Sequence, residues 1–189
     1  MLPEAGVIFR REDCAGAGRR FLASFVDGFV LIGFSSVWRF VCWFVVLDRE
    51  LSLWLWLGSI AVAITAYLGV LKRSPFRTLG YRLAGIEIVG LDGTRPGLWP
   101  MFLRSTAGVL WALSGSIMFL VDLSWIGHDE QRQTLRDKLA GTVVIRSGAT
   151  PVGSGTQSVR LHSFLGWTLY LREGKPLPAA VPQASTAAM

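Results

Sequence analysis

Four ionisable residues stand where an apolar chain can least easily keep them. Asp27 lies inside the stretch Phe21 to Leu47, Arg20 precedes it by seven positions, Arg104 falls inside a later apolar block, and Asp137 ends a polar run after that block. A carboxylate in hydrocarbon costs several kcal/mol unless it is paired, hydrated or neutral. Two kinds of chemistry would retain one there. The first is a proton or cation site, in which a desolvated Asp27 exchanges a proton as an ion passes. The second is a structural ion pair or hydrogen bond that locks helices together, with Arg104 or the neighbourhood of Asp137 as partner. Seven residues place Arg20 and Asp27 on one helical face, about 10 Å apart along the axis, so they meet only if Arg20 reaches inward. Asp137 suits a helix cap, a partner for Arg20 or Arg104, or a gate to a cavity.

The remaining polar residues carry weaker signals. Arg39 is deep in the first apolar stretch between Trp38 and Trp43, a setting for snorkelling with cation–π support. Asp122 near the end of the third block reads as interfacial or as lining the same cavity. His128, Asp129 and Glu130 are adjacent, so they cannot all face one ion from a helix, and no second His stands at a ligand spacing. Cys14 and Cys42 form no CxxC or Cys/His pattern, so neither a disulfide nor a zinc site is implied. No nucleophile with its base, phosphate loop or haem pair appears, and neither an enzyme nor a bound cofactor is expected.

The elements that must position these residues are apolar helices. Half of the 189 residues are hydrophobic (51%), with eight Trp and eleven Phe, and they fall in blocks long enough to cross a bilayer. Two spans are expected at about 20–47 and 51–71, joined by Asp48-Arg49-Glu50. A third block, Leu98 to Ile126, is long for one span and short for two, and Ser114-Gly115-Ser116 breaks its middle. A kinked or re-entrant hairpin fits it better than a plain span, so three to four transmembrane or re-entrant helices are expected. Such a break is tolerable only within protein or beside a wet cavity. The fold class is therefore an all-α membrane protein with a small cytoplasmic β element.

Small and polar residues fall on helical stripes: Arg20, Ala23, Ser24, Asp27, Gly28 and Ser35 on the first span, Ala61, Thr65 and Gly69 on the second, Arg104, Gly108, Ala112 and Ser116 on the third. Ladders of this kind let membrane helices approach closely, so the stripes are expected to face one another with Asp27 inside. The loop between the second and third blocks contains Gly85-Ile86-Glu87-Ile88-Val89-Gly90-Leu91-Asp92-Gly93, whose alternation and Asp-Gly turn signal a strand at about 85–91. A second strand is expected at about 141–146.

These strands belong to an internal repeat. Residues 78–89, TLGYRLAGIEIV, and 134–145, TLRDKLAGTVVI, share T-L-x-x-[RK]-L-A-G-x-x-[VI]-[VI], and Arg20-x-x-Ala23 is echoed by Arg104-x-x-Ala107. Two such motifs should lie on one side of the membrane and pair as a small sheet. Basic residues agree: four in 1–20, one in the first turn, five in 72–97 and seven after Ile126. By the positive-inside rule the N-terminus, central loop and C-terminal region are cytoplasmic, in a multi-pass membrane protein. The net charge of +6 then reflects anionic headgroups rather than nucleic acid. Residues 1–18 read as a polar leader without the features of a cleaved signal. Beyond Arg146 the composition turns to Gly, Ser, Pro and Ala, so 147–189 reads as a flexible tail, linker-like at 147–159 and disordered from 173. Within it, Arg160 to Arg172 is apolar enough to lie on a membrane surface or to form a short packing helix.

Together, Arg20-x-x-Ala23-x-x-x-Asp27, Thr78-Leu79-Gly80, Asp92-Gly93, Arg104 and Gln133-Thr134-Leu135-x-Asp137-x-Leu139-Ala140-Gly141-Thr142-Val143-Val144 resemble the RDD family of bacterial and archaeal membrane proteins over residues 15–146. The resemblance implies that Arg20, Asp27 and Asp137 are the arginine and two aspartates of the family's name. The chain departs from the family's pattern at Phe76-Arg77, at Tyr81 and at Arg136, where many members carry His. What the resemblance implies about activity is a suggested role in transport. Two readings therefore stand. One is proton-coupled transport of a small cation or other ligand by a homo-oligomer, with Arg20, Asp27, Asp137 and Arg104 at the ion site. The other is a non-catalytic membrane adaptor whose buried charges are structural.

Overall fold

The computed structural model describes residues 4–113, 117–164 and 167–176. Helix α1, Ala17–Val45, follows from an apolar run without proline. Asp48 then accepts a bond of 2.8 Å from the Leu51 amide and caps α2, Arg49–Thr65, a contribution of about 1 kcal/mol. A π-helical turn, Ala66–Val70, and a 3-10 turn, Leu71–Arg73, prolong α2. The helices Ala17–Val45 and Arg49–Arg73 are long and apolar enough to cross a membrane, since 25 residues rise about 37 Å. Phe29, Phe40, Phe44, Trp54 and Val62 face outward and are exposed. Apolar patches of this extent suit lipid, not water.

The third block is two helices, α4 (Leu98–Leu113) and α5 (Ile117–His128); the expected break at Ser114-Gly115-Ser116 lies outside the described residues. The block ends on the side from which it starts. Met101, near the start of α4, is buried with Ile86 and Val144, and the Gly127 carbonyl near the end of α5 accepts from Arg11.

On that side lie the paired motifs. Each repeat folds alike, as the same residues dictate. Thr78 and Thr134 accept bonds from the amides of Tyr81 and Asp137, capping α3 (Leu79–Ala84) and α6 (Leu135–Ala140). Gly85 and Gly141 end the helices at φ 62° and 64°, a left-handed conformation that glycine adopts without a Cβ penalty. The following strands, β2 (Ile86–Gly90) and β3 (Thr142–Arg146), pair antiparallel, with Ile88 opposite Val144. Those two residues occupy the same position of the repeat, so a local two-fold axis runs between them.

The expectation of one small β element in an otherwise helical protein is revised. A second sheet of three strands, in the order β1-β4-β5, joins β1 (Glu4–Ile8), β4 (Gly153–Phe164) and β5 (Trp167–Pro176). Residues 4–8 are thus a strand rather than leader, and most of the expected flexible tail is a hairpin; the tail beyond 176 lies outside the described residues. Where a surface or packing helix was expected at 160–172, the described residues 160–164 and 167–172 are likewise strand. The glycines read as linker have another use. Gly155 lies opposite Gly6, and a Cβ on it would stand 2.7 Å from the Lys175 carbonyl oxygen, so the backbones approach closely there. Leu91 accepts from Val7 and donates to Gly141, which ties the two sheets together over a core of Phe9, Cys14, Leu91, Val143 and Ile145.

Candidate functional site

Asp27 is buried one turn inside α1 from Ala23, facing α3. Three donors converge on it, the Thr78 hydroxyl at 2.8 Å, the Gly80 amide at 2.8 Å and the Tyr67 hydroxyl at 3.0 Å, and the Lys72 ammonium forms an ion pair with it at 3.7 Å. The aspartate therefore holds the N-terminus of α3 against the membrane helix. Gly80 permits the approach, because a Cβ there would collide with the Ala23 carbonyl oxygen and stand 2.7 Å from Asp27 Oδ1. Sequence reasoning offered Arg104 or the neighbourhood of Asp137 as partner for Asp27, with Arg20 meeting it only by reaching inward. The structure instead turns both Arg20 and Arg104 toward Asp137.

Asp137 is fully buried, and both arginines reach it. Arg20 and Arg104 each form an ion pair with its carboxylate. Arg20 also donates to the carbonyls of Ala15 at 2.8 Å and Arg132 at 2.6 Å, while Arg104 donates to Thr142 Oγ1 at 3.0 Å. Asp137 in addition accepts from the Thr134 amide at 3.0 Å and so completes a capping box. One carboxylate thus joins α1, α4 and α6. Such a pair is weak evidence of stability when intact, but breaking it strands a charge and costs about 3–5 kcal/mol.

The second half repeats the capping arrangement with a residue that the sequence analysis read as interfacial or as lining the cavity. Asp122 on α5 is buried, accepts from the Arg136 amide at 3.1 Å and lies 3.0 Å from Arg136 Nε. Gly80 and Arg136 occupy the same position of the repeat, so Asp27 and Asp122 do the same work from different helices. The signal was present: an acid in an apolar block, followed by the second Thr-Leu motif.

Between α1, the end of α2, α3 and α4 these residues frame a cavity of about 240 Å³. Four basic side chains line it, Arg20, Lys72, Arg104 and Arg136, against one acid, Asp27. Counting Asp122 and Asp137 behind the wall leaves four cations to three anions, a surplus of one. Lys72 Nζ sits 4.4 Å from the Tyr81 ring centroid. Burial alone would push the Tyr81 phenol up, but Lys72, Arg104, Arg136 and Arg20 outweigh it and bring it down to about 8. The cavity is thus electropositive.

The small residues serve this space. Ser24, Gly28, Ser105 and Gly108 line the cavity. A Cβ on Gly28 would meet nothing within 4 Å, and one on Gly108 would meet only Arg136. The expectation that the stripes let helices touch is therefore corrected at these glycines: the bulk is missing to leave room.

Arg39 lies over Trp43 and Trp56, at 5.3 and 5.6 Å, and donates to Ser52. Asp129 pairs with Lys138 at 2.6 Å and accepts from the amides of Gln131 and Gln133. No cluster of His, Cys, Asp and Glu among the described residues could hold a metal ion. Lys72, Tyr81 and Arg136 were missed as cavity residues, because only the folded loop brings them to Arg20 and Arg104.

A family model described as the RDD family matches residues 14–141, which takes in every residue lining the cavity. The chain is 38% identical over 74 residues to the uncharacterized protein YckC of Bacillus subtilis (strain 168), a match that covers 39% of this chain and 48% of that protein. The chain thus spans about half the length of this relative. No solved structure matches.

Proposed function

The chain belongs to the RDD family, and from that premise we propose that it is a non-enzymatic, multi-pass protein of a bacterial plasma membrane whose buried charges frame a binding cavity for an anion. The observation that carries this reading is the cavity lining, four basic side chains to one acid. A small cation entering there would meet Arg20, Lys72, Arg104 and Arg136, and would have to displace the donors already on Asp27. An anion meets charge-assisted donors instead. The site thus favours an anion over the proton-coupled cation suggested by the sequence. The N-terminus lies on the cytoplasmic side in this reading, because the start of α1, residues 72–97 and α6 to β5 carry most of the Lys and Arg.

The test is thermal unfolding of the protein purified in a neutral detergent. Glycerol 3-phosphate, compared with chloride at equal ionic strength, is expected to raise the melting temperature. At about 100 times Kd the stabilisation is about 2.7 kcal/mol, or about 5–10 °C for a chain of this size. Lys72→Gln should reduce it. Stabilisation by lithium, sodium or potassium with no response to the phosphate ester would overturn the anion reading and return weight to cation transport.

The adaptor reading also has an observation in its favour. Val159, Leu161 and Tyr170 are exposed on the β4–β5 hairpin, where a partner could sit. Replacing all three with Ser would abolish a partner's co-purification under that reading and would leave the phosphate response intact under the first.

A further inference from the structure

Beside the electropositive cavity runs a second, apolar one of about 490 Å³, walled by α2 and its π-helical turn on one side and α4 on the other. Ala61, Ile64, Gly69, Phe102 and Leu110 line it, and Ser105 and Val109 border both spaces. The charged cavity therefore continues into an apolar groove across a shared wall. Val70, Leu98, Phe102 and Leu110 at the groove are exposed, on the outer surface of helices that suit lipid. The π-helical turn places buried Gly69 at the wall, where a Cβ would meet nothing; interruptions of this type recur at binding sites.

We infer that the anion is the phosphate of a phospholipid, held in the charged cavity while an acyl chain lies in the groove between α2 and α4. This rests on the anion reading and deepens it. Three features select such an amphiphile. The guanidinium groups of Arg20 and Arg104 and the Lys72 ammonium are suited to phosphate oxygens. Basic pockets between membrane helices on the cytoplasmic face bind anionic headgroups. The groove is of a size common to ligand sites, about 300–1,000 Å³, and opens to the medium that supplies the lipid. A free anion would use the cavity and leave the groove without a purpose.

The experiment is native mass spectrometry of the whole chain in neutral detergent, titrated with phosphatidylglycerol or phosphatidylcholine, alongside the glycerol 3-phosphate melting assay. Phosphatidylglycerol should bind at about tenfold lower concentration than phosphatidylcholine. Ala61 and Thr106 both line the groove and are exposed, so Ala61→Trp and Thr106→Phe fill it without displacing buried side chains. Each should weaken phosphatidylglycerol binding about tenfold while leaving the response to glycerol 3-phosphate unchanged. Equal binding of the two lipids, or indifference to both groove substitutions, with the glycerol 3-phosphate response retained, would overturn the lipid assignment and leave a free-anion site. Loss of every phosphate response in the unaltered chain would overturn the anion reading with it.

Discussion

Replacing Asp137 by Asn removes one negative charge and almost no volume. The carboxylate is fully buried between Arg20, which is 3% exposed, and Arg104, which is 5% exposed, so the change leaves two guanidinium groups facing a neutral amide. The Asn oxygen still accepts from the Thr134 amide, and the cap, worth about 1 kcal/mol, persists. What remains is the stranding of buried charge, about 3–5 kcal/mol for a broken buried pair. For a chain of this size that is a fall of about 10 °C in melting temperature. The assay is unfolding in neutral detergent followed by tryptophan fluorescence, repeated for Arg104→Gln and for the double variant. If Asp137 joins the two arginines as described, Arg104→Gln should be damaging alone and nearly harmless, or helpful, beside Asp137→Asn, with a coupling of about 2–3 kcal/mol. A loss under about 1 kcal/mol for Asp137→Asn, or additive effects in the cycle, would refute the three-way pair.

Gly80→Ala should abolish folding or leave the chain open to protease, since its Cβ meets the Ala23 carbonyl, whereas Gly28→Ala, with open space around it, should match or exceed wild-type stability by up to about 1 kcal/mol. Absorbance at 295 nm should reveal a tyrosinate step near pH 8 that Tyr81→Phe removes. The unfolded phenol titrates higher, near 10, so this term is absent below pH 8, grows as pH rises from 8 to 10 and is complete above that; stability relative to Tyr81→Phe should rise over the same window. Burial holds the Cys14 thiol up at about 11, so a maleimide should label it at neutral pH only after unfolding, as peptide mass mapping would record.

What could be read in the sequence was local or periodic. The apolar runs gave α1 and α2, and the repeated motif gave the two strands and the pairing of β2 with β3; the Thr caps and the short helices α3 and α6 ahead of those strands were seen only in the fold. Asp137 was given capping and pairing with Arg20 or Arg104 among its options, and in the fold it does both; the role of Thr134 in that cap was not read. The three-stranded sheet was hidden for a physical reason. Its ladder joins residues 4–8 to 153–157, a pairing with no local periodicity, and Gly153 and Gly155 look like linker until a neighbouring backbone explains them. Lys72 and Arg136 were hidden likewise, each set beside Asp27 or Asp122 by the fold of a loop.

The repeat also explains why the cavity is positive. Tyr81 and Asp137 occupy the same position, three residues after the capping Thr, as Arg20 and Arg104 do at the head of their helices. A symmetric molecule would give each arginine its own acid. Here the first motif offers a phenol, so both arginines turn to Asp137, and the surplus charge faces the cavity. Tyr81→Asp would supply the missing carboxylate beside Lys72 and Arg104, leaving as many acids as bases around the cavity. The expected outcome is loss of the melting-temperature rise with glycerol 3-phosphate, while Tyr81→Phe, which keeps the ring and adds no charge, retains it. Because Tyr81→Asp also gives up a buried ring, its own melting temperature is the control: a folded variant that still responds to the phosphate ester would show that the surplus charge does not drive binding, and the asymmetry of the repeat would then be a matter of packing alone.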